Sequence, residues 1–340
     1  MDLRQLNAIV AIAEHGSFSA AADALATVQS NISTHVKKLE VELGTSLVDR
    51  ATGELTEAGE LVVARARRVI GELDAMSSDV TALSHEVIGT VRLGAIGTAA
   101  RWLVPGLLDL VPLRHPHLHL VFIEATTLGL DSQLASGQVD IGVLALPASG
   151  TEVRTVPLFE EDLGLVLPSD HPLAAADRVS LADLARLPLL LPTRGSAYRD
   201  DLDALTRAAG VTLRPRAEMD SLRLIASLTF EGSGFSILPS GAMTPGLRER
   251  WTLVPVEGLA PRLVGFAQRR RGMPGAPVRA VLDILTEVVL DPGRTPPGVR
   301  PIPTEVGRAR HEPPAVGLRP VAGVPSATAS GRPPAPSPAP

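Results

Sequence analysis

Between Gln29 and Leu43, the aliphatic residues Ile32, Val36, Leu39 and Leu43 return at steps of four, three and four. That period belongs to an α-helix with one aliphatic stripe, and the stripe is expected to face a core. The opposite side carries Gln29, Ser30, Asn31, Ser33, Thr34, Lys37 and Lys38. Short polar groups with two cations can reach base edges and phosphates from a helix in the major groove. They equally suit a plain solvated helix surface. Upstream, Leu3, Leu6, Ile9, Val10 and Ala13 recur at helical spacing and Gly16 supplies a stop. Ser17-Phe18-Ser19 then offers an N-cap for Ala20 to Leu25, whose small residues allow the close helix packing of a helix-turn-helix, with the turn at Thr27 or Val28.

Taken together, the stretch from Ser17 to Arg50, followed by Leu55-Thr56-Glu57-Ala58-Gly59-Glu60, resembles the LysR-type transcriptional regulators. The shared residues are Gly16-Ser17-Phe18, Ala21-Ala22, Leu25, Gln29, Ser33, Leu39-Glu40, Glu42-Leu43-Gly44, Leu47, Arg50 and Leu55 to Gly59. The resemblance implies a winged helix-turn-helix over 1–60 that binds double-stranded promoter DNA, with Gly44 to Thr56 as the wing. It makes Gln29, Ser30, Ser33, Thr34 and Lys37 the groove-facing residues; Asn31, Lys38 and Arg50 are candidates beside them. The chain departs from the family at Ser30, where many members have Pro, at Thr34, where many have Arg, and in a short wing poor in cations. Residues 1–60 hold four basic side chains (Arg4, Lys37, Lys38, Arg50) against nine acidic ones. Few phosphate contacts imply a shallow salt slope and modest single-site affinity. Binding would then lean on several half-sites engaged together; a module that binds DNA poorly fits the same facts.

Over 58–88, Val62, Ala66, Val69, Leu73, Met76, Val80, Leu83 and Val87 alternate in steps of four and three. This is an a/d seam of more than three heptads, and its narrowness favours a partner helix over the chain's own domain. The resemblance implies the same, a linker helix through which a homodimer or homotetramer forms.

From 90 to 290, apolar strand-like runs alternate with helical stretches, implying parallel sheet covered by helices. Val91 to Ile96, Leu118 to Ile123 and Val139 to Leu144 read as strands, with helices opening at Gly97-Thr98 and over 128–136. A second lobe follows: Leu189 to Leu191, a helix at 199–209, another at 221–231, and a strand from Phe235 to Leu238. Segments near Leu163–Leu167 and Leu263–Ala267 would carry the chain between lobes, and a helix at 277–290 would return it to the first. Lobe I is expected at 90–165 plus 265–290 and lobe II at 166–264. Arg114-His115-Pro116, Gly137, Val139-Asp140, Asp170 to Leu173 and Gly232 to Phe235 resemble the family's effector domain, which implies the fold of periplasmic solute-binding proteins. In such a fold a small-molecule effector lies in the cleft between lobes. Thr98 and Thr127, at helix N-termini after the first two strands, could seat a carboxylate beside free N–H groups. Arg194 and Ser196, after the first strand of the second lobe, could close on the same anion. Ordinary N-capping and a surface cation are the plain alternatives.

The remaining features mainly exclude. Gly94-Ala95-Ile96-Gly97 lacks the third glycine of a dinucleotide loop, so no cofactor is expected. His115, His117 and His119 alternate, but Pro116 favours a surface loop over a metal site. No GxSxG, HExxH or Walker sequence marks an enzyme. Cysteine is absent, which removes disulfides and thiolate chemistry, and no apolar run approaches the roughly 20 residues of a membrane span. Residues 291–340 hold 14 of the 30 prolines without Phe, Trp or Tyr, and are expected to be a disordered tail. The fold expected is thus α+β multidomain: winged helix-turn-helix, linker helix, two-lobed effector domain, Pro-rich tail. The function expected is a cytoplasmic, ligand-responsive regulator, with promoter DNA, a small anionic effector, its own copies and RNA polymerase as partners. A solute-binding protein or a small-acid α/β enzyme with a helical N-terminal cap is the alternative.

Overall fold

The computed structural model describes residues 1–83, 86–148 and 150–303. Helix α1 (Leu3–His15) opens with a capping box: the Asp2 carboxylate accepts the Gln5 N–H at 3.0 Å, while the Gln5 side chain accepts the Asp2 N–H at 2.7 Å. Gly16 ends it in the left-handed region. Ser17 caps the short helix α2 (Phe18–Ala24), and α3 (Gln29–Leu43) ends at Gly44, where φ is 69°. Ile9, Ile12, Ala21, Ile32, Val36, Leu39 and Leu47 close one small core. Leu43 does not join it, contrary to the periodicity: Gly44 turns the chain away, Leu47 and Val48 fill the space, and Leu43 stays exposed.

Helix α4 (Glu57–Ala82) starts at Thr56, whose hydroxyl accepts the Gly59 N–H at 3.0 Å. It stops short of the 88 expected. Val87 lies beyond its end and packs on the C-terminal domain.

Lobe I is a six-stranded sheet built from β1 (Gly89–Ala95), β2 (Leu118–Glu124), β3 (Ile141–Ala145), β4 (Val153–Glu161), β10 (Arg262–Arg269) and β11 (Val299–Pro301), in the order β11-β4-β10-β3-β1-β2. Strand β1 is parallel to β2 and β3, whereas β10 runs antiparallel to β3 and β4. Helices α5 (Gly97–Arg114), α6 (Thr127–Ser136) and α11 (Ala276–Leu290) cover it. Lobe II holds β5 (Leu163–Pro168), β8 (Ser236–Pro239) and β9 (Trp251–Pro255) in one sheet, β6 (Leu189–Pro192) and β7 (Pro215–Met219) in another. Its helices are α7 (Leu181–Leu184), α8 (Ala197–Ala208), α9 (Leu222–Phe230) and α10 (Pro245–Arg248).

The chain passes between lobes from β4 to β5 and from β9 to β10. Strand β5 lies inside lobe II, so the outward crossing belongs to β4, which the sequence reading missed. Arg154, Pro157, Glu160 and Glu161 interrupt its apolar pattern, although Glu161 is fully buried. The tail boundary at 291 also needs correction. Strand β11 pairs with the free edge of β4, the Arg248 guanidinium donates to the Pro297 carbonyl at 2.9 Å, and Arg294 meets Asp109 at 2.8 Å. An open sheet edge offers unpaired backbone groups, so a few residues can dock there despite a composition that resists folding. The expectation for 304–340 lies outside the described residues.

Candidate functional site

Helix α3 turns its polar side to solvent. Gln29, Ser30, Asn31, Thr34, Lys37 and Lys38 are exposed and Ser33 is half-buried, while Ile32, Val36 and Leu39 fix the opposite side in the core. Two of the polar side chains are partly committed: the Thr34 hydroxyl donates to the Ser30 carbonyl at 2.7 Å, and the Asn31 amide donates to the Thr27 hydroxyl at 3.0 Å. Both cations extend freely, without an ion pair among the described residues.

The wing is tied to this helix through Glu40. Its carboxylate accepts the Leu47 N–H at 2.9 Å, the Val48 N–H at 3.3 Å and the Arg50 guanidinium at 3.1 Å. Burial pushes the Glu40 carboxyl up, but these donors outweigh it and hold the group below its usual range. Arg50 also donates to the Ser33 hydroxyl at 3.3 Å and stacks 5.3 Å from the Phe18 ring centroid. Arg50, a candidate DNA contact, also acts as a strut between wing and helix, with its side chain still 51% exposed. The wing itself is narrow: Val48 pairs with Leu55. The backbone of Leu47 lies so near Gly59 that a Cβ there would fall 2.0 Å from its carbonyl oxygen.

The expected seam of α4 splits. Ala66 is buried in the core of residues 1–60 and Val62 packs against it. Farther along, Val69 is exposed and Met76, Val80 and Leu83 are 60%, 64% and 82% exposed, with Leu73 half-buried. The seam positions left exposed thus lie in the distal part of the helix, from Val69 to Leu83.

Each of the four expected effector residues is engaged within the chain. Thr98 is buried and is not a cap; Ile96 occupies that position. Its hydroxyl accepts the Arg262 guanidinium at 2.8 Å, and Arg262 Nε donates to the Glu161 carboxylate at 2.9 Å. Thr126, one residue early, caps α6, while Thr127 accepts the Ala145 N–H at 3.3 Å. Arg194 is 79% exposed and lies 3.8 Å from Asp203. Ser196 donates to the Thr193 carbonyl at 3.2 Å. Two residues the sequence reading missed span the lobes: Arg223 on α9 pairs with Glu124 at the end of β2. Neither carried a motif, and only the tertiary fold brings them together.

A family model described as a bacterial regulatory helix-turn-helix protein of the lysR family matches residues 3–60, and the LysR substrate binding domain matches 84–290. This chain belongs to the LysR family. It is a ligand-responsive, DNA-binding transcriptional regulator and not an enzyme, with DNA, an effector and its own copies as partners. The regulator is 32% identical over 294 residues to the DNA-binding transcriptional dual regulator OxyR of Escherichia coli, covering 85% of this chain and 95% of that one. It is 33% identical over 289 residues to a probable hydrogen peroxide-inducible genes activator of Mycobacterium leprae, covering 84% and 93%. Full-length OxyR of Pseudomonas aeruginosa, solved as a cysteine variant, superposes with a TM-score of 0.68 at 28% identity, covering 85% and 94%. A cysteine mutant of Corynebacterium glutamicum OxyR, solved with H2O2 bound, gives 0.51 at 27%, covering 85% and 91%. Among the described residues, no helix of the regulator is long and apolar enough to cross a membrane.

Proposed function

We propose that the regulator reads promoter DNA with α3 laid in the major groove, Gln29, Ser30, Asn31, Ser33 and Thr34 at base edges and Lys37 and Lys38 at phosphates. One observation carries this: the polar side of α3 is presented to solvent while its aliphatic side is locked into the core. Arg50 supports the wing and adds charge near the same groove. Two such heads, joined through the distal half of α4, would engage two half-sites in the cytoplasm and meet RNA polymerase at the promoter.

The effector proposed is a small anion held between the lobes. Arg262 is already neutralised by buried Glu161, so the charge for it would come from Arg223, released from Glu124, and from Arg194, with Thr98, Thr127 and Ser196 as hydrogen-bonding groups. Several relatives are hydrogen peroxide-inducible activators by name. This chain contains no cysteine, so a thiol-based peroxide response has no residue to carry it.

The test is a mobility shift and footprint on DNA recovered by genome-wide mapping of bound sites. Lys37→Ala and Lys38→Ala are expected to weaken binding across all sequences, each lowering the salt slope by about one. Peroxide treatment should leave the shift unchanged. Specific binding that persists without residues 1–60 would defeat the proposal.

A further inference from the structure

A cavity of about 620 Å3 lies between the helices of the DNA-binding domain, α4 and lobe I, away from the cleft between lobes. That volume suits a metabolite. Arginines reach it from separate elements: Arg67 from α4, Arg92 from β1, Arg154 from β4, and Arg269 from the end of β10.

Arg269 is the informative one. Its guanidinium fits beside two glycines: a Cβ on Gly137 would lie 2.8 Å from one terminal nitrogen, and one on Gly71 would lie 3.9 Å from the other. Among the described residues it makes no hydrogen bond and no ion pair, unlike Arg68, Arg199 and Arg262. Arg67 forms an ion pair with Glu14 at 3.5 Å, while its buried Nε lacks a hydrogen-bond partner.

Acidic groups also face the cavity: Glu14 pairs with Arg67, and the Asp140 carboxyl feels the charge of Arg269, but neither accepts a hydrogen bond from these guanidiniums among the described residues. The Asp140 carboxylate accepts the Arg92 N–H at 2.8 Å, and Glu72 and Asp74 stand on α4. Guanidinium groups carry five N–H donors in a fixed fork, which carboxylate and phosphate oxygens match two at a time. The Arg67 Nε is held away from water without an acceptor, which is costly.

We infer that this cavity binds a small dianion, a metabolite bearing two carboxylates or a phosphate, between Arg269 of lobe I and Arg67 of α4. Such a ligand would tie the helix that carries the DNA-binding domain directly to lobe I. It would shift the populations of head orientations without requiring the lobes to close.

Calorimetric titration of the full-length protein with succinate and, separately, with inorganic phosphate tests this and distinguishes the two sources. Saturable binding of one of them is expected, weakened about tenfold or more by Arg269→Ala and unchanged by Arg186→Ala, an exposed arginine outside both sites. Should Arg269→Ala lose its helical circular dichroism, Arg67→Gln replaces it as the deciding variant. The inference fails if neither anion binds saturably, or if the arginine variant binds as well as the parent. It fails too if Arg194→Ala loses as much, which would place the anion between the lobes.

Discussion

Arg262 and Glu161 form a hydrogen-bonded ion pair across the two strands that lead between the lobes, and the Glu161 carboxylate is wholly shielded from water. Thr98 and the Gly241 N–H, the latter at 3.4 Å, complete the cluster. Removing one partner of a buried pair strands the other charge, which is worse than removing both. Arg262→Met is therefore expected to destabilise the protein by about 3–5 kcal/mol in urea unfolding. Adding Glu161→Gln to it should recover most of that loss. A double variant no more stable than the single would show that the pair is not what matters.

The wing is held by Glu40 as well as by its own hairpin bonds. Glu40→Ala removes a charged acceptor from two wing amides and Arg50, at an expected cost of about 1.5–3 kcal/mol. The carboxyl is held below its ordinary value of 4.5, so its contribution is present above that pH and is lost as pH falls through the lower folded value. Unfolding curves of wild type and Glu40→Ala should thus converge on acidification. DNA affinity should drop with the variant even at neutral pH, read by fluorescence anisotropy.

Distal and proximal substitutions in α4 should separate cleanly. Met76→Glu with Val80→Glu charges an exposed stripe and is expected to yield folded monomers, measured by sedimentation velocity. Ala66→Glu buries a charge in a site only 1% exposed and should instead unfold the N-terminal domain. Monomers that still bind a paired operator as tightly as wild type would refute the seam.

Asp140 gives the opposite pH behaviour. Burial pushes its carboxyl up, against the Arg92 N–H and the charges of Arg92 and Arg269. A raised carboxyl penalises folding where it is ionised, and the penalty fades as pH falls through the folded value. Asp140→Asn should accordingly be more stable than wild type near neutrality, with the gap closing in acid. Thermal unfolding from neutral to acidic pH measures this.

Local patterning made the N-terminal domain and the alternating elements legible. A stripe at Ile32, Val36 and Leu39 and a stop at Gly44 depend on neighbours a few residues away, so their meaning survives without the fold. Strand β4 did not declare itself, since its buried end is a charged residue whose partner stands 101 positions away. Docking of Val299–Pro301 escaped notice for a related reason: the free edge of β4 supplies what the local composition lacks.

The chain alone therefore determined which helix turns a polar face to solvent, which face it buries and that no thiol chemistry exists, because periodicity and composition are properties of neighbouring residues. Only the tertiary structure decided that Arg50 braces the wing, that Ala66 belongs to its own domain, that Arg262 is quenched by Glu161 and that the Arg269 guanidinium makes no hydrogen bond among the described residues. Each of those depends on which distant charges and surfaces meet, and a charge has no fixed role until its counter-charge and its access to water are set.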